Sequence, residues 1–372
     1  MKRLVLAGGG HAHIEVLRDL ALNPHPGIQV EVVTPRPILL YTGMVPGHIA
    51  GHYALPECSI DVAELARRAK ATLRLTTASL VSGDANELVC SDGTVLPYDF
   101  LSLDVGSQSL VGSAKGVEKY AISVRPLDRL VEGWNSVYKR AALGKLDSIT
   151  IVGGGAGGIE LALAMDHRLR ATLEAPHPKV RVLAGEQGLG VKGGAARKLL
   201  RRMKRAGVDC HAGSTVTEVG AGFVRLASRL EFVTDAVFWA TGAAAHGWIA
   251  DSGLAVDERG FLLTNNYLQS ISHHNVFGAG DCASIENQRR PKAGVFAVRA
   301  APALAANLRA AIDGAPLRSF TAQRGFLALI STGDRNAVGT WNGITWEGSW
   351  AWNWKDRIDR RFIDRYRVPA TA

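Results

Sequence analysis

The sequence predicts an α/β chain with two Rossmann-type dinucleotide-binding domains. Two glycine-rich stretches carry this prediction, GGGHAHIEVL at 8–17 and GGGAGGIELA at 153–162. Each follows a short apolar run, RLVLA or SITIV, which is typical of a buried parallel strand. A strand, a glycine-rich turn and a helix N-terminus together form a pyrophosphate-binding unit, and two copies are much more specific than one.

The two stretches differ at one position. The second fits the pattern G-x-G-x-x-G in full, with Gly153, Gly155 and Gly158. These glycines allow a tight turn, a close approach of the backbone to a pyrophosphate and close packing of helix on strand. The first stretch has Gly8 and Gly10, but His13 stands in place of the third glycine. The first copy is therefore the weaker match.

Composition and charge narrow the class of protein. The 372 residues are 47% apolar and 21% charged, which predicts two or three domains with a large core. No apolar run reaches the roughly 18 residues that span a bilayer, and the chain enters a strand at once, without a signal peptide. We therefore predict a cytoplasmic protein and leave open a peripheral position on the inner face of a membrane. The net charge of +9 is spread widely, and no nucleic-acid-binding module is visible.

The cysteines predict neither a disulfide framework nor a metal site. They are far apart in the sequence and have no zinc-binding spacing: Cys58, Cys90, Cys210 and Cys282. A reduced, intracellular protein without a metal is the simplest interpretation.

The first half of the chain predicts strands at 2–7 and 28–35 and helices at 12–20 and 60–70, followed by short strands to about residue 100. Thr34 lies at the tip of the second strand, where a dinucleotide fold often has an acidic residue for the ribose, and Glu31 lies inside that strand. The segment YTGMVPGHIAGHY resembles a binding loop more than a regular element.

The second half repeats the pattern. It predicts helices at 125–143, 156–170 and 195–206, strands at 149–152 and 179–185, and short strands over 208–239. NVFGAGDCAS and PKAGVFAVRAAPALAANLRAAI then predict a strand, a turn and a long helix. Five of the eight tryptophans fall between 341 and 354, before a basic helix.

Four motifs in order carry a resemblance to a known family. They are the two glycine-rich turns, ATG at 240–242 and GAGD at 278–281. Over roughly residues 1–330 the chain resembles the FAD-dependent pyridine nucleotide-disulfide oxidoreductases, in the branch of type II NADH dehydrogenases and sulfide:quinone reductases. The stretches GGGHAHIEVLR, YTGMVPGHIAGHY, PKAGVFAVRAAP and LISTGDR resemble the uncharacterised oxidoreductases associated with selenide, water dikinase.

The resemblance implies that one domain is inserted into the other. The FAD domain would comprise residues 1–112 and 244–330, and the inserted NAD(P)H domain residues 113–243. Residues 331–372 would add tryptophan-rich strands and a basic amphipathic helix.

The resemblance also implies which residues hold FAD. The first turn would hold the pyrophosphate through Gly8, Gly10, His11 and Ala12, with Thr34 nearby. Gly280 and Asp281 would bind the ribityl or phosphate side, although Asp281 could instead cap a helix. Lys292 and Ala293 would begin the segment beside the isoalloxazine.

The second turn, with Gly153, Gly155 and Gly158, would take NADH or NADPH. Glu160 on the same helix often contacts this cofactor in the family, although a surface role is equally open. The strand that ends at Ala184 lacks an acid at its tip, and Glu186 comes late. The choice between the two nucleotides, or neither, therefore stays open.

The main departure from the family is the missing cysteine pair after the second strand. The resemblance without this pair implies hydride transfer from NAD(P)H to FAD and onward to a small acceptor, such as a quinone, without a catalytic disulfide. Candidate catalytic residues are Lys292, His48 and Tyr41, and His52 and Tyr53 could also line the acceptor side. A structural role is the alternative for each.

Other interpretations remain open at this point. One is an oxidoreductase of selenium or sulfur compounds, functionally linked to selenide, water dikinase. Another is a non-catalytic flavin-binding partner or redox sensor with a decayed nucleotide site. In the tail, Trp354, Ile358, Phe362 and Tyr366 recur every four residues on a basic helix. This stripe predicts either a membrane contact or packing on the core or on a second copy in a homodimer.

Overall fold

The computed structural model describes residues 1–367. Ten α-helices lie in this part of the chain: α1 (His11–Leu22), α2 (Val45–Ile49), α3 (Val62–Arg68), α4 (Val117–Tyr120), α5 (Leu127–Ala142), α6 (Ala156–Thr172), α7 (Gly193–Ala206), α8 (Gly247–Asp251), α9 (Gly294–Asp313) and α10 (Ser349–Tyr366).

Twenty-five strands are described. Those of the first half are β1 (Lys2–Ala7), β2 (Ile28–Val33), β3 (Ile38–Leu40), β4 (Ser59–Asp61), β5 (Thr72–Arg74), β6 (Ala78–Ser82), β7 (Glu87–Cys90), β8 (Val95–Pro97), β9 (Phe100–Leu103), β10 (Gln108–Ser109), β11 (Ile122–Ser123), β12 (Ser148–Val152) and β13 (Lys179–Leu183). Those of the second half are β14 (Asp209–His211), β15 (Val216–Gly220), β16 (Phe223–Leu226), β17 (Glu231–Val233), β18 (Ala236–Trp239), β19 (Ala243–Ala244), β20 (Leu262–Thr264), β21 (Val276–Gly278), β22 (Ala283–Ile285), β23 (Ala328–Ser331), β24 (Ala337–Trp341) and β25 (Ile344–Gly348).

Two parallel five-stranded sheets confirm the α/β fold with Rossmann-type domains. The first has the strand order β21-β9-β1-β2-β5 and the second β11-β18-β12-β13-β14. In each, the strand before a glycine-rich turn lies in the centre, because its short run of buried aliphatic residues can face apolar layers on both sides. The helix after each turn, α1 or α6, packs back onto its own sheet.

The two sheets are internal copies of each other. In the first, the last residue of β1, Ala7, pairs with Leu103 at the end of β9. In the second, the last residue of β12, Val152, pairs with Trp239 at the end of β18. The chain leaves the first sheet through β10 and returns through β19, and these two connections pair antiparallel. This pairing is what an inserted second domain requires, while the individual domain boundaries stay predictions.

The segment YTGMVPGHIAGHY is not an open loop, because it contains α2 and lies largely buried. Val45 and Ile49 join the core of the second sheet, and α2 contacts α5 and α6. Met44 joins the core of the first sheet instead. The segment therefore joins the two halves of the molecule, since its apolar residues divide between both cores.

The C-terminal region forms the small sheet β23-β24-β25, followed by α10. The predicted stripe on this helix divides in two. Ile363 and Tyr366 are buried and Phe362 packs against the same core, whereas Trp354 and Ile358 are 39% and 42% exposed. One end of the helix is thus a core element and the other presents apolar side chains to solvent.

Among the described helices, α9 alone is long and apolar enough to cross a membrane by length and composition. Its residues Ala301, Leu304 and Leu308 are buried in the first core, where the helix packs against α1.

Candidate cofactor and acceptor site

The first glycine-rich turn is shaped by close contact with the end of β9. Gly8 has φ of +101°, and a Cβ there would lie 2.2 Å from the carbonyl oxygen of Asp104. No side chain fits this conformation and this contact, so glycine is required. Gly10 follows as the N-cap of α1.

His13 stands at the position of the third glycine, and its ring forms two hydrogen bonds there. Its Nδ1 donates to the carbonyl of Gly8 at 2.6 Å, and its Nε2 accepts from the hydroxyl of Ser102 at 2.8 Å. Burial lowers the pKa of His13 to about 4, so the ring is neutral and keeps these two roles. In the second turn a Cβ at Gly158 would lie 2.1 Å from the corresponding carbonyl, that of Gly153. The helix is therefore joined to the carbonyl of the first glycine by the imidazole of His13 in the first copy. In the second copy Gly158 packs directly against that carbonyl.

Asp104 is a site residue that the sequence analysis missed. Its carboxylate is 3% exposed, and Oδ2 accepts the backbone N–H groups of Ala12 at 2.7 Å and His13 at 3.1 Å. Burial raises the pKa of Asp104 to about 7, and the charge of Asp281 acts in the same direction. The sequence contains a sign of this residue. LDVG at 103–106 follows the paired strand of the first copy as WATG at 239–242 follows that of the second, and Asp104 stands where the second has Ala240.

The second turn has free space in front of its second glycine, Gly155, whereas the carboxyl group of Asp104 fills the corresponding space at Gly10. Gly153 has φ of +132°, and a Cβ there would lie 2.2 Å from the carbonyl oxygen of Ala240. A Cβ at Gly155 would meet no heavy atom within 4 Å in the described chain. Behind the turn, Gly190 donates its N–H to the carbonyl of Gly154 at 2.9 Å, which fixes the loop after β13 against it. An anion can therefore approach the backbone at Gly155.

Asp281 and Lys292 lie near each other at the carboxyl end of the first sheet. Burial raises the pKa of Asp281, against the opposing charges of Arg125 and Lys292. Lys292 donates to the carbonyl of Ala283 and to Ser284 Oγ, so its ammonium is already held by protein groups. Ala293 caps α9, one residue after Lys292. The structure thus brings Gly280, Asp281, Lys292 and Ala293 together beside the first turn.

The tip of β2 offers no carboxylate to a ribose. Thr34 is buried and its Oγ1 lies against Gly9, since a Cβ on that glycine would be 2.9 Å away. Glu31 forms an ion pair with Arg74 instead. Thr34 therefore shapes the turn by contact with its backbone.

His11, the first residue of α1, has a buried polar atom that a ligand of the first turn such as FAD could pair. Its ring lies 5.7 Å from that of Tyr41 and 5.9 Å from that of Phe362, between centroids. Burial lowers its pKa to about 4, and its Nε2 has no hydrogen-bond partner among residues 1–367. A buried polar atom without a partner at the start of α1 suits a ligand that would supply one.

A buried polar cluster joins α6, α10 and the segment after β3. We call it the junction cluster; its members are Tyr41, Glu160, Lys355 and Asp359. Lys355 Nζ bonds Asp359 Oδ2 at 2.6 Å and the carbonyl of Gly43, and Tyr41 donates to Asp359 Oδ1 at 3.1 Å. Only Tyr41 and Glu160 were predicted as site residues.

Glu160 is placed in the junction cluster by the fold rather than at the surface of α6. Its Oε1 accepts the N–H of Ser331 at 2.7 Å. Burial raises the pKa of Glu160 to about 7, although the positive charge of Lys355 opposes the shift. The group can therefore gain or lose a proton near neutral pH.

The other predicted acceptor-side residues lie outside this cluster. His48 Nδ1 bonds the carbonyl of Tyr53, and His52 Nε2 bonds the carbonyl of Gly333. Tyr53 donates to Asp356 at 2.7 Å. The segment YTGMVPGHIAGHY contains two catalytic candidates. Tyr41 belongs to the junction cluster, and His48 does not.

The comparisons with known proteins agree with this architecture. Residues 2–301 match the family described as pyridine nucleotide-disulphide oxidoreductase. The chain is 23% identical to a probable NADH dehydrogenase of Dictyostelium discoideum over 337 residues, 82% of this chain and 72% of that protein. It is 24% identical to the demethylphylloquinone reductase NdbB of Synechocystis over 386 residues, 99% of this chain and 92% of that protein.

A solved structure shows the same fold over the same length. The sulfide:quinone oxidoreductase of Aquifex aeolicus superposes with a TM-score of 0.81 at 20% identity, covering 99% of this chain and 92% of that chain. Plant mitochondrial NAD(P)H-ubiquinone oxidoreductases also match, and the chain spans 56% of their length. Because the family match covers most of its residues, this chain belongs to the pyridine nucleotide-disulphide oxidoreductase family.

Proposed function

We propose that this protein is an FAD-dependent NAD(P)H oxidoreductase that passes electrons to a quinone-like acceptor. The observation that carries the proposal is the duplicated turn, with one copy beside GAGD and the other open at Gly155. The names of the relatives, an NADH dehydrogenase and a phylloquinone-type reductase, support the same chemistry. Bound FAD would accept a hydride from NADH or NADPH and release two electrons to the acceptor.

The residues of the chain have distinct tasks in this scheme. The N-terminus of α1 and Asp281 hold FAD, and the N-terminus of α6 holds the nicotinamide nucleotide. Glu160 can hold a proton near neutral pH, and its carboxyl group interacts electrostatically with Lys355 and Asp359. A quinone takes up two protons with its two electrons, so we propose that the acceptor binds near this proton-holding group.

The thiols are poorly suited to a sulfur relay. Burial raises the pKa of Cys58 and of Cys282 to about 12, and burial also raises the pKa of Cys90 and Cys210. A thiol must ionise to act as a nucleophile, so none of these groups is activated at neutral pH. This supports direct electron transfer from flavin to acceptor.

Replacing all four cysteines by alanine tests the proposal. We expect the variant to retain FAD, to be bleached anaerobically by NADH or NADPH and to be reoxidised by a soluble quinone at a rate close to that of the wild type. The measurement is flavin absorbance in a stopped-flow instrument, with FAD content and melting temperature as controls. Loss of quinone turnover in a folded, FAD-loaded variant would contradict direct transfer, and a wild-type protein that neither nucleotide bleaches would contradict the proposed activity.

The C-terminal region supports a peripheral membrane position. An aromatic-basic face is formed by Trp341, Ile344, Trp346, Trp350, Trp354, Arg357, Ile358 and Arg361. Trp341 pairs with Ile344 across the hairpin, and the ring of Trp346 stacks on those of Trp350 and Trp354.

The part of this face on α10 combines both kinds of side chain. At 100° per residue, the five members from Trp350 to Arg361 fall within an arc of about 100°. Trp350 is 54% exposed, and the two arginines are exposed as well. Tryptophan and arginine on one surface suit the interface of an anionic bilayer, where quinones are found.

Changing Trp350 and Trp354 together to serine is expected to abolish sedimentation with vesicles that contain anionic lipid, while FAD content stays unchanged. Leu22→Ser is the matched control, because Leu22 is 63% exposed but lies at the end of α1. Binding of the double variant equal to that of the wild type would contradict the membrane contact. A change from dimer to monomer in analytical ultracentrifugation would assign the face to a homodimer instead.

We propose on the same grounds a position at the cytoplasmic face of the membrane. The functional link to selenide, water dikinase remains a prediction.

A further inference from the structure

The two copies of the Rossmann unit differ in the residue that follows the paired strand. Asp104 follows β9 in the first copy, and Ala240 follows β18 in the second. The backbone has the same position in both copies. The carbonyl oxygen of each residue would lie 2.2 Å from a Cβ built on the first glycine of its turn, Gly8 or Gly153. The side chains therefore occupy corresponding positions in front of α1 and α6.

The carboxylate of Asp104 fills the space that the second glycine of its turn leaves free. A Cβ built on Gly10 would lie 2.5 to 2.6 Å from all three atoms of this carboxyl group. A Cβ built on Gly280 would lie 2.4 Å from Oδ1. At Gly155, the counterpart of Gly10, the same direction is open. In Rossmann folds the second glycine is small so that a pyrophosphate can approach at this point.

We propose that the FAD pyrophosphate binds against the carboxyl group of Asp104, which contacts it as a neutral carboxylic acid. Oδ2 would keep the N–H groups of Ala12 and His13, and a protonated Oδ1 would be free to donate to a phosphate oxygen. FAD binding is then coupled to the uptake of one proton. An ionised Asp104 would instead place a negative charge against the phosphates in a buried site.

The surroundings of Asp104 favour the neutral form. From α1 it faces His13, whose lowered pKa keeps that ring uncharged. From the turn after β21 it faces the acid Asp281 and the thiol of Cys282, whose raised pKa keeps it protonated. The positive charges of Arg125 and Lys292 offset Asp281, and the ammonium of Lys292 also bonds Ala283 and Ser284. Burial, with the charge of Asp281, raises the pKa of Asp104 itself to about 7, although the N–H groups of His13 and Ala12 oppose the shift.

The consequence is a defined dependence of FAD affinity on pH. Above the pKa of Asp104, each molecule that binds FAD must first take up a proton. The dissociation constant of FAD should therefore rise by about tenfold per pH unit from about pH 7 upward and be nearly constant below it.

The test is a titration of the deflavinated full-length protein with FAD, followed by FAD fluorescence, between about pH 5 and pH 9. Wild type should show the tenfold rise per pH unit, and Asp104→Asn should bind with little dependence on pH. The amide can accept from α1 and donate to a phosphate, as the neutral acid does. Asp166→Asn is the matched control, because Asp166 is another buried acid whose pKa is raised by burial, and its loss should keep the slope of the wild type.

Asp104→Ala provides a second variant, since it copies the residue of the second turn. It should bind FAD more tightly than wild type at alkaline pH, because the freed N–H groups of α1 can then bond the phosphates. Equal slopes for wild type and Asp104→Asn, or loss of FAD from both Asp104 variants at every pH, would overturn the inference. The inference rests on the proposed FAD site but not on the acceptor. A wild-type chain that binds FAD at no pH would contradict the proposed function itself.

Discussion

Gly155→Val is expected to abolish reduction of the bound flavin by NADH and by NADPH, with at least about a hundredfold loss in rate. The backbone at Gly155 has an ordinary conformation, and no described atom lies within 4 Å of a Cβ built there, so valine is compatible with the fold. The added side chain fills the space through which a pyrophosphate would reach the N-terminus of α6. Anaerobic stopped-flow absorbance measures the loss.

Two other variants separate this effect from damage to the fold. Gly155→Ala adds a smaller group at the same place and should cause a smaller loss. Gly158→Ala should instead destabilise the domain, because its Cβ would lie 2.1 Å from the carbonyl oxygen of Gly153. FAD content of Gly155→Val should equal that of wild type, since the proposed FAD site is the first turn. Normal reduction of Gly155→Val by either nucleotide would exclude the second turn as the nucleotide site.

Lys355→Met is expected to lower the free energy of unfolding by about 3–5 kcal/mol, because it leaves buried acids without their cation. Lys355 and Asp359 form an ion pair whose side chains are 13% and 7% exposed, and Glu160 feels the same positive charge. Unfolding of the FAD-loaded protein in denaturant measures the loss. Reoxidation of the flavin by quinone should slow as well, while reduction by NADH is unchanged.

The pH dependence of this loss follows from Glu160. Its pKa in the folded protein, about 7, is raised above the ordinary value by burial, so its ionisation disfavours folding as the pH rises toward 7. Without the positive charge of Lys355 the pKa of Glu160 would rise further, so ionised Glu160 would destabilise the folded protein more at alkaline pH. The stability deficit of Lys355→Met should therefore be larger at about pH 8 than at about pH 5, where Glu160 is protonated.

Lys198→Met serves as the control for Lys355→Met. Lys198 lies 3.9 Å from Glu347 in a more exposed pair, so its loss should cost less than about 1 kcal/mol. Equal stability of the two variants would show that the junction cluster does not depend on its lysine.

The fold was predictable because its signals are local. Short aliphatic runs, glycine-rich turns and amphipathic helices each lie within about 20 residues, and β1, β12, α5 and α6 fall close to the predicted spans. The segment YTGMVPGHIAGHY was misjudged for the same reason. Its prolines, glycines and histidines indicate a loop, whereas its burial depends on two cores contributed by distant parts of the chain.

The sequence by itself determined the duplicated turns, their order with ATG and GAGD, and the absence of the family's paired cysteines. Only the tertiary structure decided which side chains meet. It placed Asp104 in front of α1, 92 residues from Ala12, and joined Glu160 to Lys355 and Asp359 near the C-terminus. Such contacts arise where separate sheets and helices pack, and no local pattern encodes them. The raised pKa values of Asp104 and Glu160 have the same origin, since desolvation is a property of the packed interior.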